Sequence, residues 1–138
     1  MTWRKTLDVS VLIGKQLKTV EMPDNENIYF DVDNGDIYRM NHNQDCCETV
    51  EIVDVCGDLN DLVGSPIIMA EMVQSEENEF MGKTVKDYEE YQNDSQTWTF
   101  YKFATIKGYV TIRWLGTSNG YYSEEVDFYK FSPKDEDD

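Results

Sequence analysis

Along most of the chain, apolar and polar positions alternate two by two. Val110, Ile112 and Trp114 are interleaved with Thr111 and Arg113, and that spacing predicts a strand with one buried face. The same reading makes strands of LKTVEM (17–22), NIYFDV (27–32), DIYRMNH (36–42) and ETVEIVDV (48–55), the last with Val50 and Ile52 on one face and Glu51 and Val53 on the other. SPIIMAEMV (65–73) predicts a strand that begins after Pro66, since proline cannot donate within a ladder. TWTFYKFAT (97–105), YVTIRWL (109–115) and YYSEEVDFYKF (121–131) complete the set. Asp33-Asn34-Gly35 marks the clearest hairpin, because Asn-Gly supplies the positive φ of a tight turn. Lys107-Gly108 and GTSNG (116–120) mark further turns.

Two stretches depart from this pattern. DLNDLVG (58–64) reads as one or two helical turns, with Asp58 placed to cap and Gly64 to terminate. Residues 75–95 show no sustained period and predict an exposed loop, in which VKDYEEYQ (85–92) is a candidate short helix.

Laying residues 8–22 over residues 58–72 aligns Asp8 with Asp58, Leu12 with Leu62, Gly14 with Gly64 and Glu21-Met22 with Glu71-Met72, without a gap. The later segments match more loosely, and the cysteines of HNQDCCETVEI fall where the second half carries Tyr121-Tyr122. The expected architecture is therefore mainly β (α+β): one domain over residues 1–132, built of two tandem helix-turn and β-meander units, 8–55 and 58–131, followed by an acidic tail, 133–138. Each unit has too little core alone, so the two are expected to pack as an antiparallel sandwich or barrel.

Composition narrows the function classes. A chain of 138 residues with 13% aromatics can bury a real core. No run approaches the roughly 18 apolar residues of a membrane span. The N-terminus lacks the apolar segment and cleavage site of a signal peptide. Three cysteines do not make a disulfide framework, so a cytoplasmic, reducing setting is expected. The net charge is −16, from 28 acids against 12 bases, which argues against direct binding to a phosphate backbone. Residues 40–82 contain no Lys or Arg but ten acids. Asp45, Glu48, Glu51, Asp54, Asp58 and Asp61 in that block are the candidate partner-binding residues.

Other chemistry fits less well. His42, Asp45, Cys46, Cys47 and Glu48 are all metal-ligand types. Structural zinc, however, favours cysteines spaced by about two to four residues, and adjacent cysteines on a strand point to opposite faces. Asp31, Asp33 and Asp36 partly resemble a calcium loop, but the hairpin accounts for them. A nucleophilic cysteine beside His42 would be opposed by the surrounding carboxylates, which disfavour a thiolate. The thiols are expected to serve packing, one buried and one half-exposed. No catalytic residue, metal or cofactor is expected. Trp98, Tyr101, Lys102, Arg113, Trp114, Asn119, Tyr121 and Tyr122 form an alternative aromatic and basic cleft, suited to a small nucleotide-like anion.

HNQDCCETVEI, GDLNDLVGSPI and TWTFYKFATIKGYVTIRWLGTSNGYYSEEVDF are long and unusual strings. On these the chain resembles, from about residue 13 to 128, a family of uncharacterised proteins of phages and prophages of Gram-positive bacteria. The resemblance implies a setting more than a mechanism: a small acidic accessory protein inside the host cell, inhibiting host machinery or defence. Three expectations follow. The first is a non-enzymatic inhibitor whose acidic face occupies a basic, nucleic-acid-binding surface of a host protein. The second is a protein that sequesters a signalling nucleotide, and the third is a structural phage protein.

Overall fold

A computed structural model describes residues 6–44, 46–76, 95–118 and 123–132. The strands are β1 (Leu17–Asp24), β2 (Asn27–Val32), β3 (Ile37–Asn41), β4 (Thr49–Cys56), β5 (Met69–Glu76), β6 (Ser95–Thr105), β7 (Gly108–Ser118) and β8 (Asp127–Phe131). They form two antiparallel sheets of four strands, ordered β1-β2-β3-β8 and β4-β7-β6-β5, which are not closed into a barrel.

The period of two decides what each sheet turns inward. Ile28, Phe30 and Val32 of β2 and Tyr38 and Met40 of β3 are buried, as are Val50 and Ile52 of β4, Tyr101 and Phe103 of β6, and Val110, Ile112 and Trp114 of β7. Phe30 meets Phe103 across the sheets at 5.6 Å between ring centroids, and Phe128 at 5.8 Å within its own sheet. Tyr38 stacks on Phe128 at 5.3 Å. These side chains belong to one continuous core that draws on both sheets.

The turn at Asp33-Asn34-Gly35 forms as expected. Gly35 has φ 98°, its N–H donates to the Val32 carbonyl (2.9 Å), and the Asp36 N–H donates to Asn34 Oδ1 (2.9 Å).

The expected helix at 58–64 is instead a single 3-10 turn, Leu59–Leu62, preceded in the chain by another at Val9–Leu12. Four residues are too few for α-helical bonding to propagate, and the next residue in each, Ile13 and Val63, is already extended. β5 runs to Glu76 and β6 starts at Ser95, so both ends of the loop expected over 75–95 are strand, and residues 77–94 lie outside the described residues. VKDYEEYQ and the acidic tail lie outside the described residues.

Among the described residues, the element order is a 3-10 turn and four strands, twice over. Each sheet takes three consecutive strands from one half and its fourth, β8 or β4, from the other. The start of the two halves is bonded in matched pairs. Asp8 accepts from the Ser10 N–H (2.8 Å), and Asp58 from the Asn60 N–H (2.9 Å). The Gly14 N–H donates to the Ile67 carbonyl (2.7 Å), and the Gly64 N–H to the Leu17 carbonyl (2.9 Å). Ile13 bridges Ile67, Leu17 bridges Val63, and Gln16 bridges Pro66.

Two outcomes test these contacts. Phe103→Ala should cost about 3–5 kcal/mol in urea denaturation, because it empties a ring from between the sheets. Asp8→Ala should cost about 1 kcal/mol at neutral pH through the lost cap. The Ser10 backbone N–H, above all, holds the Asp8 carboxyl below its ordinary pKa. Its contribution is therefore present above that value and is lost as pH falls through the lower folded value. Wild type and Asp8→Ala should accordingly differ in melting temperature at pH 7 and converge in strong acid.

Candidate functional site

β3 ends at Asn41 in one sheet and β4 starts at Thr49 in the other, so residues 42–48 carry the chain across the sandwich. The loop is organised around a buried pair. His42 Nε2 lies 2.6 Å from Glu48 Oε2, with side chains only 5% and 0% exposed. His42 Nδ1 lies 2.6 Å from the Glu125 carbonyl oxygen. A carbonyl only accepts, so Nδ1 carries a hydrogen. Nε2 then makes its own bond in one of two forms: imidazolium against carboxylate, or neutral ring against protonated Glu48. In either form a single proton lies between Nε2 and Oε2.

The backbone completes the arrangement. The Cys46 N–H donates to Glu48 Oε1 (2.9 Å). Gln44 Nε2 donates to the carbonyls of Glu48 (2.6 Å) and Cys46 (3.1 Å). A polar cavity of about 440 Å3 opens beside the pair, lined by Glu26, Asn27, Arg39, Asn41, His42 and Glu48 among others. Arg39 is held there by Asn27 Oδ1, which accepts from its Nε (3.1 Å) and Nη2 (2.7 Å). Its guanidinium also lies 5.4 Å from the Tyr29 ring centroid and 5.5 Å from that of Phe131. The cavity thus presents both signs of charge at one corner of the sandwich.

The cysteines overturn two expectations. They do not point to opposite faces, because they precede β4 in a bend where strand alternation does not apply. Both are exposed, so neither is a packing residue, and they are joined to each other as a disulfide. Cys56 is a free, exposed thiol. Among the described residues no group of three or more His, Cys, Asp or Glu side chains is placed to hold a metal.

The six acids expected to face a partner are dispersed. Asp45 lies outside the described residues. Glu48 is buried against His42. Asp54 pairs with Arg113 at 3.2 Å. Asp58 is exposed but caps its 3-10 turn, and Asp61, half-buried, follows it in that turn. Glu51 accepts from Asn25 Nδ2 (3.1 Å), and the Ile52 N–H donates to the Asn25 carbonyl (2.6 Å). The β1–β2 turn therefore seats on the β4 edge, bringing exposed Asp24 and Glu26 beside Glu51. The Glu26 backbone N–H, first among several donors, lowers the Asp24 pKa. Sequence reasoning missed this corner because it sought acids only in the stretch without Lys or Arg. The available signal was the tight, acid-flanked PDNEN (23–27) between two strands.

The described residues of the alternative cleft fall on two opposite faces, for a simple reason of period. Tyr101 and Trp114 point into the core, at 3% and 0% exposure, and burial pushes the Tyr101 hydroxyl pKa upward. Trp98, Lys102 and Arg113 occupy the half-exposed alternate positions of β6 and β7, with the Arg113 guanidinium 5.5 Å from the Trp98 ring centroid. Asn119, Tyr121 and Tyr122 lie outside the described residues.

Fold and site together define an acidic two-sheet β-sandwich with a polar crossover loop. The chain belongs to the DUF7448 family, a domain of unknown function, whose model matches residues 10–128. No curated protein and no solved structure matches it.

The His42–Glu48 pair makes a direct prediction. His42→Ala leaves a buried carboxylate without its partner, and should cost about 3–5 kcal/mol. The double variant His42→Leu/Glu48→Leu should recover part of that loss, measured by urea denaturation of both proteins.

Proposed function

We propose that the protein is a non-enzymatic phage accessory protein that acts in the cytoplasm of a bacterial host. It inhibits a host protein by covering a basic, nucleic-acid-binding surface with its acidic face. The observation that carries this reading is the imbalance of charge at the surface. Among the described residues, Asp54 is ion-paired with Arg113 and Asp36 with Lys130, each at 3.2 Å, while the chain carries 28 acids against 12 bases. Other exposed carboxylates among the described residues, Asp8, Asp24 and Asp58 with them, accept from neutral backbone donors that leave their charge in place, and their summed field favours a cationic partner and opposes a phosphate backbone.

The contact surface in this reading is the corner of Asp24, Glu26 and Glu51 together with the exposed Asp58, a revision of the block first expected. No helix among the described residues is long and apolar enough to cross a membrane, which fits action away from a bilayer without requiring it. The matched bonds of the two halves support a reading of the chain as two tandem copies of one turn-and-strand unit.

The test reverses Glu26, whose side chain carries none of the contacts named above, and leaves Glu51, which seats the β1–β2 turn, in place. Glu26→Lys should keep the wild-type melting temperature and weaken capture of the host partner in a low-salt pull-down. Capture by the wild type should fall steeply between about 50 and 200 mM salt, as electrostatic association does. The captured partner should lose nucleic-acid binding when saturated with this protein. Capture that survives both charge reversal and salt would sink the proposal.

A further inference from the structure

We propose that Cys46 and Cys47 are a redox-modification site: a dithiol–disulfide pair, opened by a dithiol reductant, whose state resets the hydrogen bonds that hold Glu48 against His42. The two residues are adjacent, both exposed, and joined as a disulfide. A reductant therefore reaches the sulfurs without unfolding the sandwich. The coupling is covalent and short. Closing the disulfide makes a small ring that contains the Cys46–Cys47 peptide, so the state of the sulfurs governs the backbone there. That backbone is part of the loop's network. The Cys46 N–H donates to Glu48 Oε1 (2.9 Å), and the Cys46 carbonyl accepts from Gln44 Nε2 (3.1 Å), which also donates to the Glu48 carbonyl (2.6 Å). The other oxygen of Glu48 holds His42 Nε2 at 2.6 Å. A change at the sulfurs thus reaches the buried His42–Glu48 pair and the polar cavity it lines through one peptide and one side chain.

The step balances as thiol–disulfide exchange. One thiolate of the reductant attacks a sulfur of the pair, the protein S–S bond breaks, and the other cysteine leaves as a thiolate that takes a proton. The second thiol of the reductant then attacks the mixed disulfide and releases the first cysteine. Two cysteine thiols form, and the reductant's two thiols become its disulfide. A tandem pair of exposed thiols with no cavity beside it would be a weaker case. Here the same loop supplies Gln44 and Glu48 to the cavity wall, so the redox state alters a surface that a ligand or partner can sense.

The experiment uses the full chain with Cys56→Ser, which removes the third thiol and its intermolecular exchange. The protein is equilibrated with oxidised or reduced dithiothreitol, alkylated with iodoacetamide and weighed intact, and parallel samples are recorded by NMR at one fixed pH. No alkyl group in the oxidised sample, two in the reduced sample, and reversal on returning to oxidised dithiothreitol are expected. So are shifts of the His42 ring and of the Cys46 and Glu48 amide resonances between the states, with the Trp114 indole resonance unmoved. Adding Cys46→Ser/Cys47→Ser to the Cys56→Ser chain should preserve the fold and abolish all redox dependence. Two alkyl groups in the protein equilibrated with oxidised dithiothreitol would overturn the redox pair. Identical His42 and Glu48 resonances in the two states would overturn the coupling.

Discussion

The structure depends on an exchange of strands. Neither sheet is complete within one half of the sequence, because β8 finishes the sheet begun by β1, β2 and β3, while β4 lies beside β7. Residues 37–41 pair with 127–131, and 49–56 with 111–117. These pairings close long loops, whose entropic cost must be met before the contacts form. Their return is the shared core, in which Phe30 and Phe128 of one sheet meet Phe103 of the other. A half of the chain on its own would leave an open sheet edge and one bare apolar face, two conditions that favour association over folding.

The exchange requires the chain to cross between the sheets twice, and both crossings bring a carboxylate inside. Glu48 is met by His42, and Glu124 by Ser118, each partner six residues earlier at the end of the incoming strand. Thr97 Oγ1 also donates to Glu124 (2.7 Å). A buried carboxylate is tolerable only when its oxygens are hydrogen-bonded, and both are. Close packing follows at the second crossing: a Cβ on Gly116 would stand 2.7 Å from Glu124 Cβ and 2.9 Å from its carbonyl oxygen. The two crossings share a scaffold and differ in chemistry. Only the first has an imidazole, and with it the cysteine pair.

What the sequence made legible follows from the range of the interaction involved. Val110, Ile112 and Trp114 are buried as their alternation predicts, and Asn34-Gly35 turns as its local backbone preference requires. Asp8 and Asp58 act as caps in the matched segments. The alternation also held the means to separate Tyr101 from Lys102, which are consecutive and face opposite ways. What could not be read were contacts between distant segments. Nothing local to Glu48 says that it turns inward, since that depends on Glu125 orienting His42 from 83 positions away. Nothing local to Asn25 says that it seats on β4 and brings Glu26 to Glu51. The cysteines misled because strand alternation was applied to residues that precede the strand; a bend at Cys46 and Cys47 reverses the conclusion about their side chains.

The negative surface is sharpened by where the few cations go. Lys15 Nζ donates to the Val11 carbonyl (2.8 Å), and Lys107 Nζ to the Val63 carbonyl (2.5 Å), so each completes a carbonyl at the end of a 3-10 turn. Arg39 is engaged by Asn27 and two rings, Arg113 by Asp54 and Trp98. These four cations satisfy backbone oxygens, side-chain oxygens and aromatic faces inside the fold, and only one of them neutralises a surface carboxylate directly. With 28 acids in the chain, self-repulsion opposes compaction, and it is the apolar interior, largely indifferent to surface charge, that withstands it. Stability and surface field are thereby separated: the core fixes the sandwich, while exposed carboxylates such as Asp24 and Glu26 at the β1–β2 turn set the field outside it.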